Sequence, residues 1–436
     1  DGVRFDGGLL PAGNGLSVGD FNGDGLPDVV LVRSTGETDR VYTNLGDGQF
    51  SSIDLDASTA ESQHAAPFDA DGDGDLDLFI SRHIDLLSTD LIALEAGTLR
   101  GDVNRLYLNE DGRFVPVDPD EAADAATFQA VPFDADSDGD LDLYVVNDFG
   151  PLIKPNVLMI NDGSGNFVPD SDCGCDLAMF GMGASVGDYN NDGNVDLHIS
   201  DLGSPRLLMG LGSGRFADST LASGAYIAPS ADRVTSWATR FVDLDQDGWD
   251  DLITAYGPVL MGIDGDWTDV VDHPYVNDLD DSPEQINAAM RNIDGSFVED
   301  SSAVGFDLKG SSRAIVVSDF DEDGLPDVVV SGVLPDLTQT VRLYRGRAGC
   351  GPGITMRFPE RSAADVGARV EWSVNGASRV RWYQPGSSFS ASGSMLHLGT
   401  GGYPQADWVR VTPFGGATVE HLNVSVGTRI DQRSYQ

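Results

Sequence analysis

Lysine is almost missing from this chain. Lys+Arg total 26 against 71 Asp+Glu, the formal net charge is −45, and only Lys154 and Lys309 are lysines. Such a balance disfavours nucleic acid and anionic membrane surfaces as partners, and favours cations, basic proteins or simple solubility. Long apolar runs are also absent, so no membrane insertion is expected. Cysteine is scarce: Cys173, Cys175 and Cys350 cannot make a disulfide scaffold. The six histidines (64, 83, 198, 273, 397 and 421) do not cluster, so a zinc site would lack ligands. In an oxidising compartment, one bond among the three cysteines and one free thiol are expected. The first residue is Asp1 and not Met, which is expected of a processed or trimmed chain. No nucleophile elbow, H-E-x-x-H, P-loop or dinucleotide fingerprint occurs, and the chain is not expected to be an enzyme.

What is present in excess is aspartate, 60 of the 71 acidic residues, beside 40% hydrophobic residues and 19 Phe. That apolar content belongs to a folded protein, not to a solvated acidic tail. One device accounts for 25 of the aspartates, a nine-residue pattern D-x-[DN]-x-D-G-x-x-D that recurs six times. The copies are "DFNGDGLPD", "DADGDGDLD", "DADSDGDLD", "DYNNDGNVD", "DLDQDGWDD" and "DFDEDGLPD", beginning at Asp20, Asp69, Asp134, Asp188, Asp243 and Asp319.

Side chains at positions 1, 3, 5 and 9, with the carbonyl of position 7, make an oxygen cage for Ca²⁺ if the loop curls on the Gly at position 6. The assigned ligands are Asp20, Asn22, Asp24, Leu26 and Asp28 in loop one, and Asp69, Asp71, Asp73, Asp75 and Asp77 in loop two. Loop three has Asp134, Asp136, Asp138, Asp140 and Asp142; loop four has Asp188, Asn190, Asp192, Asn194 and Asp196. Loop five has Asp243, Asp245, Asp247, Trp249 and Asp251; loop six has Asp319, Asp321, Asp323, Leu325 and Asp327. About six Ca²⁺ ions are expected, one per loop. Asp-Gly text also makes plain hairpin turns, but six copies of one acidic spacing leave the mutual repulsion without another compensation. An EF-hand would place Glu at position 12. Here that position holds Leu31, Ile80, Val145, Ile199, Thr254 or Val330, inside strand-like text.

An apolar segment precedes each loop, a strand follows it, and a third strand resembles "RVYTNL" or "RLYLNE". A Gly turn and a fourth strand complete the first five units, as in "GDGQFSSI". Four strands recurring in this way are a propeller blade. The sixth unit lacks its fourth strand, and "VRFDGG" (residues 3–8) is expected to supply it and close the ring.

These units resemble FG-GAP/VCBS repeats, the calcium-loop blades also found in integrin α-subunits. "VGARVEW" (366–372), "GSSFSASGSMLHLGTG" (386–401) and "VRVTPFGG" (409–416) resemble the ASPIC/UnbV module of the cartilage acidic protein family and its bacterial relatives, with Thr412 and Phe414 departing from that module's Trp and Asp. The resemblance implies an all-β chain: a β-propeller over residues 1–349, then a small transthyretin- or immunoglobulin-like β-sandwich over 350–436. Relatives generally carry seven blades; six loops are counted here, and a seventh blade could come only from the C-terminal module. The function implied is a secreted, extracellular or periplasmic calcium-binding adhesion module for a protein or glycan. The alternative is a polysaccharide lyase or hydrolase with its site on the face opposite the calcium loops. That face carries two long connections, 83–104 (with a short helix expected in "STDLIALEAGTL") and 257–285, where His83, Trp267, His273 and Tyr275 stand out. Their plainer role is to cap the channel or dock the sandwich.

Overall fold

The computed structural model describes residues 15–33, 37–57, 61–84, 101–117, 125–230, 232–258, 284–333, 338–347, 349, 351–359, 361–386 and 390–432. These residues form strands and loops with no α-helix, and no helix among them is long and apolar enough to cross a membrane. The expected N-terminal strand 3–8, the short helix, and Trp267, His273, Tyr275 and Cys350 lie outside the described residues.

Six sheets follow one another as propeller blades. In each, the acidic nine-residue motif joins the first two antiparallel strands: Leu16–Gly19 to Asp28–Leu31, Glu61–Phe68 to Asp77–His83, and Ala126–Phe133 to Asp142–Asp148. Blades four to six pair Gly181–Gly187 with Asp196–Asp201, Ser236–Val242 with Asp251–Tyr256, and Ser312–Ser318 with Asp327–Val333. Every second strand begins on the position-9 aspartate. From blade one to blade six, each blade's first strand packs against the first strand of the next. In blades two to five the first and second strands are nearly all buried because apolar layers cover both faces, as Phe68, Leu78 and Ile80 show in blade two.

Blades one to five have their fourth strand, as the sequence reading expects. Blade six ends at Gln339–Tyr344 among the described residues, and its sheet gains a strand at the opposite, inner edge. Ser390–Ser392 runs parallel to Ser312–Ser318, with Ile315, Val316 and Val317 opposite Ser390, Ala391 and Ser392. The text "GSSFSASGSMLHLGTG" is therefore shared: Ser390–Ser392 joins the propeller sheet, and Met395–Leu398 pairs within the sandwich.

The C-terminal sheets are Met395–Leu398, Ile354–Arg357 and Arg429–Asp431 on one side, and Ala377–Trp382, Arg369–Val374, Gln405–Thr412 and Val419–Ser425 on the other. They close over Trp372, Phe358 and Tyr383, the last two stacked at 4.1 Å between ring centroids. They form a sandwich with its own core, not a seventh blade.

The sandwich contacts the face that carries the acidic loops. Arg379 Nε donates to Gly248 O at 2.9 Å, and Gly401 N to Gln246 O at 2.9 Å, both in loop five. A Cβ on Gly399 would stand 2.0 Å from Asp243 Oδ2, so only glycine admits this approach.

Candidate metal centres

Five of the loops share one closing bond. The position-1 carboxylate turns inward and accepts the N–H of Gly at position 6: Gly25 to Asp20 at 2.8 Å, Gly74 to Asp69 at 3.0 Å, and Gly193 to Asp188, Gly248 to Asp243 and Gly324 to Asp319 at 2.9 Å each. That turn needs a positive φ, and Gly25, Gly74, Gly139, Gly193, Gly248 and Gly324 lie between 80° and 99°.

The position-9 aspartate is buried in all six loops and held by two backbone donors. In blade two, Asp77 accepts Ala70 N–H and Asn109 N–H, both at 2.7 Å. Asp28, Asp142, Asp196, Asp251 and Asp327 repeat the arrangement, pinning the loop to the third strand of their own blade.

Four loops bring carboxylate oxygens of positions 1, 3 and 9 within 4.8 Å of one another: Asp69/Asp71/Asp77, Asp134/Asp136/Asp142, Asp243/Asp245/Asp251 and Asp319/Asp321/Asp327. Loops one and four have the same backbone path with Asn22 and Asn190 at position 3. Position 5 stands outside these triads. One oxygen of its carboxylate accepts the N–H of position 7, as Asp73 does from Asp75 at 2.9 Å and Asp192 from Asn194 at 2.8 Å. Asp24, Asp138, Asp247 and Asp323 do likewise, so this side chain shapes the turn.

Burial, and after it the neighbouring carboxylates, push Asp77, Asp142 and Asp188 up to about 7 and Asp196 to about 8. Three half-desolvated carboxylates at this separation fit a hard divalent cation, which satisfies their lone pairs and reverses the repulsion.

A second set of residues escaped the sequence reading. The third strands of blades one, two, three and five carry Asn44, Asn109, Asn161 and Asn292 at their last or next-to-last position. Asn109 Nδ2 donates to Leu76 O at 3.1 Å in its own loop and to Phe21 O at 2.8 Å in the loop of blade one. Asn161 reaches Ala70 O of blade two, and Asn292 reaches Tyr189 O of blade four, both at 2.8 Å. The amides of Asn109, Asn161 and Asn292 rivet the loops of blades two, three and five to the preceding loop. In blades four and six the position is Gly210 or Gly346, and a Cβ there would meet Val195 O at 2.2 Å or Pro326 O at 2.6 Å.

On the opposite face His83 is fully buried and not displayed to a partner. Its Nε2 lies 3.3 Å from Asp148 Oδ2, and its ring packs on Phe128 at 4.3 Å. Nearby Arg313 sits 4.0 Å over the Trp237 ring. Cys173 and Cys175 are joined by a disulfide.

The FG-GAP-like repeat family matches residues 20–80, 134–199 and 188–254, which cover loops one to five. No curated protein matches the chain by sequence. Among solved structures, the chain is similar to an Agrocybe aegerita lectin described as recognising non-reducing terminal N-acetylglucosamine. That match has a TM-score of 0.44 at 17% identity, over 78% of this chain and 82% of the lectin. It is also similar to a Bacillus licheniformis rhamnogalacturonan lyase, with TM-score 0.40 and 14% identity over 96% of this chain and 72% of the lyase. An exotype rhamnogalacturonan lyase gives the same score and identity over 96% of this chain and 74% of that enzyme.

Proposed function

We propose that this protein is a non-catalytic binding module of an extracellular or periplasmic compartment, whose propeller is held by about six Ca²⁺ ions and recognises a protein or glycan. The observation that carries this reading is the recurrence of converging carboxylates on the same connection of successive blades. The residues holding the ions are positions 1, 3 and 9 of each loop, with position 5 and the carbonyl of position 7 completing the set. Calcium supplies charge neutralisation that ties each loop to the third strand of its blade. The Cys173–Cys175 bond supports an oxidising compartment. The sandwich, which we take to be of the ASPIC/UnbV type of the cartilage acidic protein family, covers part of the calcium-loop face. The opposite face is therefore the one we assign to the partner.

A second reading, a polysaccharide lyase or hydrolase, draws on the buried His83–Asp148 pair and on Asp201, whose carboxyl burial pushes up to about 8. One experiment separates the two. The folded, calcium-loaded protein is screened on a glycan array and by pull-down, and any bound polysaccharide is then assayed for cleavage. Saturable binding without turnover is expected. Turnover that disappears in His83→Ala while the fold persists would establish the enzyme instead.

A further inference from the structure

The six loops do not carry the same charge. Loops two and three place acids at positions 1, 3, 5, 7 and 9, and loops one and four have three carboxylates each. Among the described residues, no arginine or lysine forms an ion pair with the position-1, -3, -5 or -9 acids of these four loops.

Loops five and six differ, and they differ in the same way. At loop five, Arg291 Nη2 lies 2.9 Å from Asp245 Oδ2, the position-3 ligand. Arg381 Nη2 lies 3.3 Å from Asp243 Oδ2, the position-1 ligand, and 2.5 Å from Asp250 Oδ1. At loop six, Arg345 Nη2 lies 2.7 Å from Asp321 Oδ2, and Arg429 Nη2 lies 3.8 Å from Asp319 Oδ2, again positions 3 and 1. In each case the arginine facing position 3 comes from the end of the blade's own third strand, and the one facing position 1 comes from the sandwich. The equivalent third-strand residues of blades one to four are Thr43, Leu108, Ile160 and Met209, none of them charged.

We infer that the cation sites fall into two classes: four loops that depend on calcium, and two, loops five and six, that the chain's own guanidinium groups neutralise and that bind calcium more weakly. This rests on the calcium reading above and refines it. Calcium affinity rises with the net negative charge of the donor set. Each of these loops carries five acids, because Asp250 and Glu322 (2.9 Å from Arg429 Nη1) add to the four at positions 1, 3, 5 and 9. The two guanidinium groups offset two of the five and cover the position-1 and position-3 oxygens a cation would use. Arg381 is also well placed to persist, because its side chain is only 10% exposed and its two partners are almost fully buried. Calcium entering loop five must compete with the contact that seats the sandwich.

The test is calcium titration of the chelator-stripped full chain, with bound ions counted by native mass spectrometry. Four ions should bind tightly and two at least about tenfold more weakly, the scale on which one ligand charge tunes such loops. Arg291→Gln and Arg345→Gln change side chains that are 49% and 65% exposed, so the fold is retained. Each should move one ion from the weak class to the tight one. Thr43→Arg should do the reverse at loop one. Six ions in one class, or classes unmoved by these variants, would overturn the inference and leave the calcium reading intact. Failure of the wild-type chain to bind any calcium would overturn both.

Discussion

Replacing Asn109 by alanine tests whether the loops stabilise one another or only their own blades. The amide makes three side-chain bonds: Nδ2 to Phe21 O at 2.8 Å and to Leu76 O at 3.1 Å, and Oδ1 from Gly112 N–H at 2.8 Å. Asn109 is 1% exposed, and Phe21 and Leu76 are 3% and 1% exposed, so water does not reach the carbonyls that lose their donor. A buried polar group left unsatisfied costs about 1–3 kcal/mol. Two such carbonyls, with the weaker loss at Gly112, come to roughly 3–5 kcal/mol on that scale. Asn44 is the internal control. It holds the same place in blade one, but among the described residues its Nδ2 reaches only Pro27 O of its own loop, at 3.2 Å in an exposed setting, while its Oδ1 accepts Gly46 N–H at 3.0 Å as that of Asn109 accepts Gly112. Asn44→Ala should cost less than about 1 kcal/mol. The assay is urea unfolding of both variants in saturating calcium, supported by hydrogen exchange at the amides of blades one and two. Protection should fall in both blades for Asn109→Ala. Equal stabilities for the two variants would refute the rivet and reduce the asparagine to a turn residue.

Calcium removal should act more broadly. At 100-fold excess over the dissociation constant each ion contributes about 2.7 kcal/mol, so stripping the four unshielded loops should lower the melting midpoint by roughly 10 °C or more. An unchanged midpoint with chelator would mean the aspartates only make turns. His64 supplies an acid sensitivity that is separate from the loops. Both its ring nitrogens are buried without a hydrogen-bond partner, and burial lowers its pKa to about 3 from the usual 6.5. The unfolded chain therefore takes up the proton first. The contribution is complete above pH 6.5 and is lost as pH falls towards 3, amounting to about 2 kcal/mol by pH 5. A His64→Leu variant in saturating calcium should lose that much less stability than wild type between pH 7 and 5, and parallel curves would refute the assignment. Finally, thiol labelling of unfolded, unreduced protein should modify Cys350 alone, because Cys173 and Cys175 are bonded; three labelled thiols would remove the support for an oxidising compartment.

The loops were legible because their geometry is local. Alternating acids, a glycine at position 6 and an apolar run after position 9 encode a curled turn between two strands without help from the rest of the chain. The strands of the sandwich were legible for the same reason, through period-two alternation in stretches such as "ARVEWSV". What depended on distant partners was not. The asparagines at the ends of "RVYTN", "RLYLN", "VLMIN" and "AAMRN" form a visible series, yet Phe21 and Asn109 lie 88 residues apart, and nothing in the text names the acceptor. Arg291 and Arg345 stand just before that position and were equally visible, but their meaning depends on the carboxylate each one faces. His83 looked like a surface residue at the start of a long loop. Its neighbours Asp148 and Phe128, from the next blade, place it in the interior.

The strand Ser390–Ser392 has a consequence for how the chain reaches this structure. Its partner, Ser312–Ser318, was synthesised some seventy residues earlier, and three sandwich strands lie between them in sequence. During synthesis the inner edge of blade six thus stays bare until three of the seven sandwich strands have been made. Pairings of such long sequence separation form late and slowly, and an exposed strand edge invites association with other chains in the meantime. A chain cut at residue 349 is accordingly not a smaller version of the propeller. It keeps an open edge at the inner side of blade six, and its yield of monomer should depend on concentration in a way the full chain's does not.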